Sequence, residues 1–146
     1  MKEVNSVKIE FPSISANEGF SRGVASAFAA QLDPTLTELG DIKTAVSEAV
    51  TNAIVHAYPD TIGMIYIKAR VLPGDILEIS VKDRGRGIED VEKAREPLFT
   101  TGGEDRSGMG FTIMESFMDS LRIRSQPGRG TTVIMRKKIE KRSSVK

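Results

Sequence analysis

Residues 47–53 decide the fold, and they read Ser47-Glu48-Ala49-Val50-Thr51-Asn52-Ala53. On a helix, Glu48 and Asn52 lie one above the other on the same face, because they are four residues apart. Both fall at the margin of the apolar stripe that this helix would bury, where a polar side chain borders either a cleft or solvent. Thr51 and Asn52 have low helix propensity, and such residues beside a carboxylate indicate a candidate site. The spacing alone, however, favours a polar edge that faces solvent. His56 falls inside the stripe, which predicts a hydrogen-bonded core histidine rather than a ligand or base.

Alternation and turn signals divide the rest of the chain. Capping boxes at residues 15–18 and 35–38 open two helices, and the second of these carries the segment quoted above. Strands are predicted at residues 7–11, 64–71, 76–81, 121–125 and 131–136, and further helices at 91–95 and 109–118. This order predicts an α+β fold, a two-layer α/β sandwich in which helices cover one face of a mixed sheet.

Length and composition set further limits. The 146 residues predict one domain over residues 1–138, followed by a basic, disordered tail at 139–146. Six of the 21 Lys and Arg residues lie in the last eleven positions, so the remainder carries 15 basic and 19 acidic residues, which argues against direct nucleic-acid binding. There is no Cys and one His, which excludes thiolate chemistry and multi-histidine metal sites. No stretch predicts a membrane span or a signal peptide, so we expect a cytoplasmic protein.

Two glycine-containing segments are candidates for ligand contact. Asp83, Gly85 and Gly87 directly follow a predicted strand, where the glycines would let the backbone approach a flat ligand and the carboxylate could accept from an amino group. Residues 107–110 open a helix, whose free N–H groups and positive dipole end suit phosphates. Each segment alone is equally compatible with an ordinary turn or a flexible helix start. The P-loop, the dinucleotide fingerprint and the H-R-D kinase loop are all absent.

In order along the chain, Glu48-x-x-x-Asn52, Asp83-x-Gly85-x-Gly87 and Gly108-x-Gly110 resemble the N, G1 and G2 boxes of the GHKL ATPase/kinase superfamily. Residues 47–53, 97–101 and 106–115 also resemble the bacterial anti-sigma factor serine kinases, most of all those that act in sporulation. The likeness runs from the first strand to the last hairpin and leaves out only the basic tail.

The resemblance implies a role for each matching residue. Glu48 would be the general base that takes a proton from a partner's serine hydroxyl, and Asn52 would help to hold Mg²⁺ against the triphosphate. Asp83 would accept from the adenine amino group, in a pocket shaped by Gly85 and Gly87. The remaining expected ATP or ADP contacts are Thr100, Thr101 and Arg106 of the ATP lid, Ser107, Gly108, Met109 and Gly110 at the phosphates, and Thr131 near adenine.

One departure concerns charge at the phosphates. The family carries a basic residue soon after the Thr-Thr pair, whereas this chain has Gly102-Gly103. Arg106, Arg84 or Arg86 is then left to balance the phosphate charge.

The partners implied by the resemblance are a sporulation sigma factor, an anti-anti-sigma protein phosphorylated on serine, and a second copy in a homodimer. Neither nucleic acid nor membrane is implied. Three alternatives stay open: a general stress-response anti-sigma kinase, a binding module in which ATP only stabilises the sigma-binding form, and a free-standing ATP-binding domain of histidine-kinase type. Glu48 argues against the module, since binding alone needs no carboxylate there, and the lack of a phosphoacceptor helix argues against the last alternative.

Overall fold

The computed structural model describes residues 2–96 and 110–140, and within these ranges a single sheet has the strand order β1-β2-β3-β5-β4. The strands are β1 (Asn5–Pro12), β2 (Met64–Leu72), β3 (Ile76–Asp83), β4 (Ser120–Gln126) and β5 (Gly130–Lys138). The α-helices are α1 (Ala16–Ala29), α2 (Leu36–Asn52), α3 (Val91–Ala94) and α4 (Gly110–Phe117). A 3₁₀ turn (Ala30–Leu32) extends α1, and a π-helical segment (Ala53–Ala57) extends α2. The predicted α+β class is confirmed.

The sheet is antiparallel at each of its four strand pairings, so the mixed sheet predicted from the sequence is wrong. The long connection from β3 to β4 does run those two strands in the same direction. However, β5 folds back from β4 as a hairpin and pairs with both of them, which separates the two parallel strands. The order of elements along the chain does not reveal which strand takes that central position.

The apolar core lies between one face of the sheet and the helices α1, α2 and α4. Alternate residues of β2 and β3 point into it, as the strand period requires, and the stripe on α2 faces them. The fully buried side chains include Ile42, Val46, Ile65, Leu77, Ile79, Met114 and Met135. This packing fixes the last turn of α2 beside the end of β3, which is where the candidate site lies.

The two capping boxes predicted from the sequence have different outcomes. The box at α2 is confirmed: Thr35 Oγ1 accepts from the N–H of Glu38, and the Glu38 carboxylate accepts from the N–H of Thr35. The box at α1 is wrong, because Ser15 has helical backbone angles and caps nothing with its side chain. Glu18, its expected partner, contacts Ser47 of α2 instead.

The folded part of the chain extends slightly past the domain boundary predicted at residue 138. Ile139 is buried, and its N–H donates to the carbonyl of Asp75, while the N–H of Glu140 donates to Glu38. Tertiary contacts thus hold residues 139 and 140, which were assigned to the tail, and residues 141–146 lie outside the described range. Among the helices of the described residues, none is long and apolar enough to cross a membrane.

Candidate nucleotide site

The end of α2 forms one wall of the site. Asn52 is the last α-helical residue, and the helix then widens into the π-helical turn of residues 53–57. π-turns of this kind are often found at functional sites. The wider turn also rotates His56 out of the buried stripe: it is half-buried and lines the cavity described below, so the predicted core position is wrong.

A cavity of about 710 Å³ opens between the end of α2, the loop after β3, the start of α4 and strand β5. Its volume lies within the range of ordinary small-molecule sites, roughly 300–1,000 Å³. Its lining combines apolar residues, among them Ala49, Ala53, Val81 and Val133, with polar and charged ones. The cavity therefore suits a ligand that has both apolar and polar parts.

Asp83 lines this cavity and is 7% exposed. Its Oδ1 accepts two backbone N–H groups, from Gly85 at 3.0 Å and from Thr131 at 3.2 Å. Oδ2 accepts no hydrogen bond from the described residues, and no fully buried side-chain oxygen among them lacks a partner, so Oδ2 faces the cavity. Burial raises the pKa of Asp83 above its ordinary value, and the two backbone hydrogen bonds oppose this rise only in part. The site thus offers a ligand one fixed acceptor.

Glycines allow the elements around the cavity to meet closely. A Cβ on Gly85 would clash with the carbonyl of Ala57 in the π-helical turn. Gly87 has φ +77°, which disfavours any other residue, and a Cβ there would clash with the carbonyl of Gln126. These two glycines therefore allow the loop after β3 to pack closely between the end of α2 and the β4–β5 turn.

Asn52 and Gly110 lie against each other in the lining of the cavity. A Cβ added to Gly110 would lie 3.1 Å from Asn52 Nδ2, so α4 begins directly against the Asn52 amide. That amide makes no side-chain hydrogen bond within the described ranges and lines the cavity. Leaving a buried amide unpaired costs about 1–3 kcal/mol, so a ligand that pairs with this half-buried side chain would offset such a cost.

Two hydroxyl groups, one on β4 and one on β5, support the loop after β3. Thr131 Oγ1 and Ser125 Oγ are 2.7 Å apart, and Ser125 Oγ also accepts from the N–H of Ile88. Ser125 is a residue that sequence analysis missed as part of the site. The signal was present, because the predicted alternation of β4 already placed this polar residue on the buried side of its strand.

Tyr58, also missed, anchors the start of the same loop. Its hydroxyl donates to the carbonyl of Met64 and accepts from the N–H of Arg84 at 2.7 Å. Burial raises the pKa of Tyr58, which keeps the hydroxyl protonated for this role. A buried tyrosine with a paired hydroxyl is common, so nothing in the sequence distinguished it.

Glu48 lies one turn before Asn52 on α2, just outside the lining of the cavity. It is half-buried, as the margin position predicted. Desolvation raises the pKa of Glu48, and the neighbouring charge of Glu18 raises it further. A carboxylate with raised proton affinity at the edge of a ligand cavity has the properties of a general base.

Comparison with known proteins decides the family. The model of the histidine kinase-like ATPase domain matches residues 16–137. The anti-sigma F factor of Caldanaerobacter subterraneus subsp. tengcongensis is 58% identical over 95% of this chain and 97% of that protein. That of Clostridium perfringens (strain SM101) is 56% identical over 92% of this chain and 97% of that protein. This chain belongs to the histidine kinase-like ATPase family, among the anti-sigma F factors.

A solved structure supports the fold of this family. The RsbU and RsbW domains of a Mycobacterium tuberculosis protein superpose with a TM-score of 0.71 at 20% identity, covering 96% of this chain and 34% of that one. The resemblance drawn from the three boxes is thus confirmed. Membership of this family implies that the chain binds ATP or ADP, and the cavity is the candidate site for it.

Most of the predicted site residues within the described ranges gather at this cavity. Asn52, Asp83, Gly87, Gly110 and Thr131 line it, and Gly85 closes the loop beside it. Six further predicted residues lie outside the described residues: Thr100, Thr101, Arg106, Ser107, Gly108 and Met109.

The basic residues expected to balance the phosphate charge lie in different places. Arg84 stacks 4.9 Å from the ring centroid of Tyr66, whereas Arg86 lines the cavity. Lys93 of α3 lines it too, a residue that sequence analysis missed because no motif of the family marks it. Of the candidates named for the departure at Gly102-Gly103, Arg86 is thus the one at the cavity and Arg84 is not, while Arg106 lies outside the described range.

Proposed function

We propose that the protein is an ATP-dependent protein serine kinase that also binds a sporulation sigma factor and keeps it inactive. One observation carries the proposal. The acceptor oxygen of Asp83 and the amide of Asn52, which has no hydrogen-bond partner among residues 2–96 and 110–140, both belong to side chains that line the same cavity, in a chain more than half identical to anti-sigma F factors. Glu48, one helical turn from Asn52, adds a base beside it.

The nucleotide contacts follow from the donors and acceptors that line the cavity. Asp83 Oδ2 would accept from the adenine amino group, and Thr131 would lie near the same ring. Gly85 and Gly87 would keep the loop close to the ring edge. Thr100, Thr101 and Arg106, with Ser107, Gly108, Met109 and Gly110, would enclose the phosphates.

Magnesium would be held mainly by the nucleotide. Within residues 2–96 and 110–140, no cluster of three or more His, Cys, Asp or Glu side chains could bind a metal ion. Mg²⁺ in kinase sites commonly takes one or two protein ligands and completes its shell with phosphate oxygens and water. Asn52, whose amide has no hydrogen-bond partner in the described part of the chain, fits the role of that protein ligand.

Bound Mg·ATP would supply the phosphoryl group, and Glu48 the proton acceptor. The serine oxygen of the partner attacks the γ-phosphorus, its proton passes to Glu48, and ADP leaves. A carboxylate with a raised pKa suits this task, because a base is most effective when its pKa lies near the working pH. The one-turn spacing brings the base and the magnesium ligand to the same end of the cavity.

The relatives' name supports a sigma factor as one partner, and the other two proposed partners are those that the family resemblance implies. The sigma factor is the inhibited partner, an anti-anti-sigma protein is the serine substrate, and the protein itself forms a homodimer. We place the complex in the cytoplasm, where sigma factors act.

Transfer of label from γ-labelled ATP to serine of a candidate anti-anti-sigma protein tests the proposal. We expect phosphoserine on the partner and co-elution of the protein with the sigma factor in the presence of nucleotide. Sigma binding without any phosphoserine would support the non-catalytic module instead. Preferential binding of a general stress-response sigma factor would contradict the proposed sporulation partner but would leave the proposed kinase activity unchanged.

A further inference from the structure

Glu18 links α1 to α2 at the residue just before Glu48. Its Oε2 accepts from Ser47 Oγ at 2.6 Å, and Arg22 Nη1 lies 3.1 Å from the same oxygen. The side chain of Glu18 is 24% exposed and that of Arg22 is 44% exposed, so Glu18 is the more shielded member of the pair. This contact replaces the capping box that the sequence predicted, so the side chain serves the α1–α2 interface instead of its own helix end.

The contact between Glu18 and Ser47 also places the negative charge of Glu18 near Glu48. Both neighbours donate to Glu18, which is the arrangement that an ionised, acceptor-only carboxylate requires. After desolvation, the charge of Glu18 is the second cause that raises the pKa of Glu48. Arg22 Nη1 lies 3.1 Å from the Glu18 carboxylate, and its positive charge opposes the potential that Glu18 produces around it.

The other charges on elements packed against α2 are further along the helix or paired elsewhere. On α4, Glu115 pairs with Arg95, and on α2 itself Asp41 pairs with Lys137. Lys43 precedes Glu48 by five residues, and His56 follows it by eight. Within residues 2–96 and 110–140, Glu18 is the charge that acts on Glu48.

We propose that Glu18 is a positioning residue for phosphotransfer: through its contact with Ser47 it ties α1 to α2 and holds a negative charge next to the segment that carries Glu48. Arg22 sets how much of this charge Glu48 experiences. The proposal rests on the proposed role of Glu48, and it adds α1 to the catalytic apparatus. The test must therefore measure the protonation of Glu48 separately from the reaction.

The test compares three variants of the full-length protein. Glu18→Gln keeps an acceptor for Ser47 but removes the charge, Arg22→Gln removes the opposing charge, and Ser47→Ala removes the hydrogen bond but neither charge. The Glu48 carboxyl is titrated by ¹³C NMR in each free protein, and amide spectra check that each variant is folded. We expect the Glu48 midpoint to move to lower pH in Glu18→Gln, to higher pH in Arg22→Gln, and to move less than in either of these in Ser47→Ala, which keeps both charges.

Opposite shifts in the two charge variants cannot come from a general loosening of the α1–α2 contact. Shifts in the same direction, a midpoint unchanged in both, or an equal shift in Ser47→Ala would each overturn the inference.

Single-turnover transfer below the wild-type midpoint separates this inference from the proposed function. Glu18→Gln should raise the rate there by about 1.5- to 5-fold, the range that a partly exposed charge pair provides. Opposite NMR shifts with no change in rate would uphold the electrostatic link but remove Glu48 as the base. An unmoved midpoint would remove Glu18 from the apparatus, even if Glu48→Gln abolished transfer.

Discussion

Replacing Asp83 by Asn tests the nucleotide site most sharply, because the structure fixes which way the new amide must face. Two backbone N–H groups point at Oδ1, so the amide oxygen takes that place and the NH₂ group turns to the cavity. An acceptor facing the adenine amino group becomes a donor. Losing one charge-assisted hydrogen bond costs about 1.5–3 kcal/mol, so ADP affinity should fall by about tenfold to a hundredfold.

Calorimetric titration with ADP and with inosine diphosphate gives the measurement its control. Inosine diphosphate carries a carbonyl oxygen where ADP carries the amino group, so it should bind the variant at least as well as it binds the wild type. Asp75→Asn, in an exposed turn whose left-handed backbone Asn tolerates, should bind ADP normally. Equal loss for both nucleotides, or no loss for either, would refute the assignment of Oδ2 to the adenine amino group.

Two glycine pairs give further predictions. Gly110→Ala should displace the Asn52 amide and weaken the Mg²⁺ dependence of ATP binding, measured by calorimetry. The control, Gly40→Ala, lies in open space on α2 and should leave binding intact while adding up to about 1 kcal/mol of stability. A normal Mg²⁺ response in Gly110→Ala would contradict the role of Asn52. Gly87→Ala should lower the free energy of unfolding by about 2–4 kcal/mol, from backbone strain plus a clash with the β4–β5 turn, and Gly74→Ala by only the strain, about 1–2 kcal/mol. Equal losses in chemical denaturation would mean that the clash relaxes without cost.

The sequence predicts the elements of this fold well, since apolar periodicity and turn residues are local signals. The prediction failed for features that depend on distant partners. Ser15 and Thr35 begin equally good capping boxes, but the acidic residue of the first finds stronger partners across the helix interface. In the same way, the mixed sheet was wrong because strand order depends on where β5 inserts.

The site was predictable where a motif marks a backbone requirement or an exposed acceptor, as at Asp83 and Gly87. His56 was misplaced because an α-helical angle was assumed through a turn that is π-helical. Ser125 and Tyr58 were missed because their roles are hydrogen bonds to backbone groups far away in the chain. Such contacts leave no local pattern in a single sequence.

The central claim, that Glu48 is the base of a serine kinase, is tested most directly by single-turnover phosphoserine formation in Glu48→Gln. The variant keeps shape and hydrogen bonding but accepts no proton, so the rate should fall by about 10²- to 10⁴-fold while ADP and sigma-factor binding persist. Glu10→Gln, on the exposed face of β1, is the matched control and should react at the wild-type rate. A loss of less than about tenfold in Glu48→Gln would contradict the account.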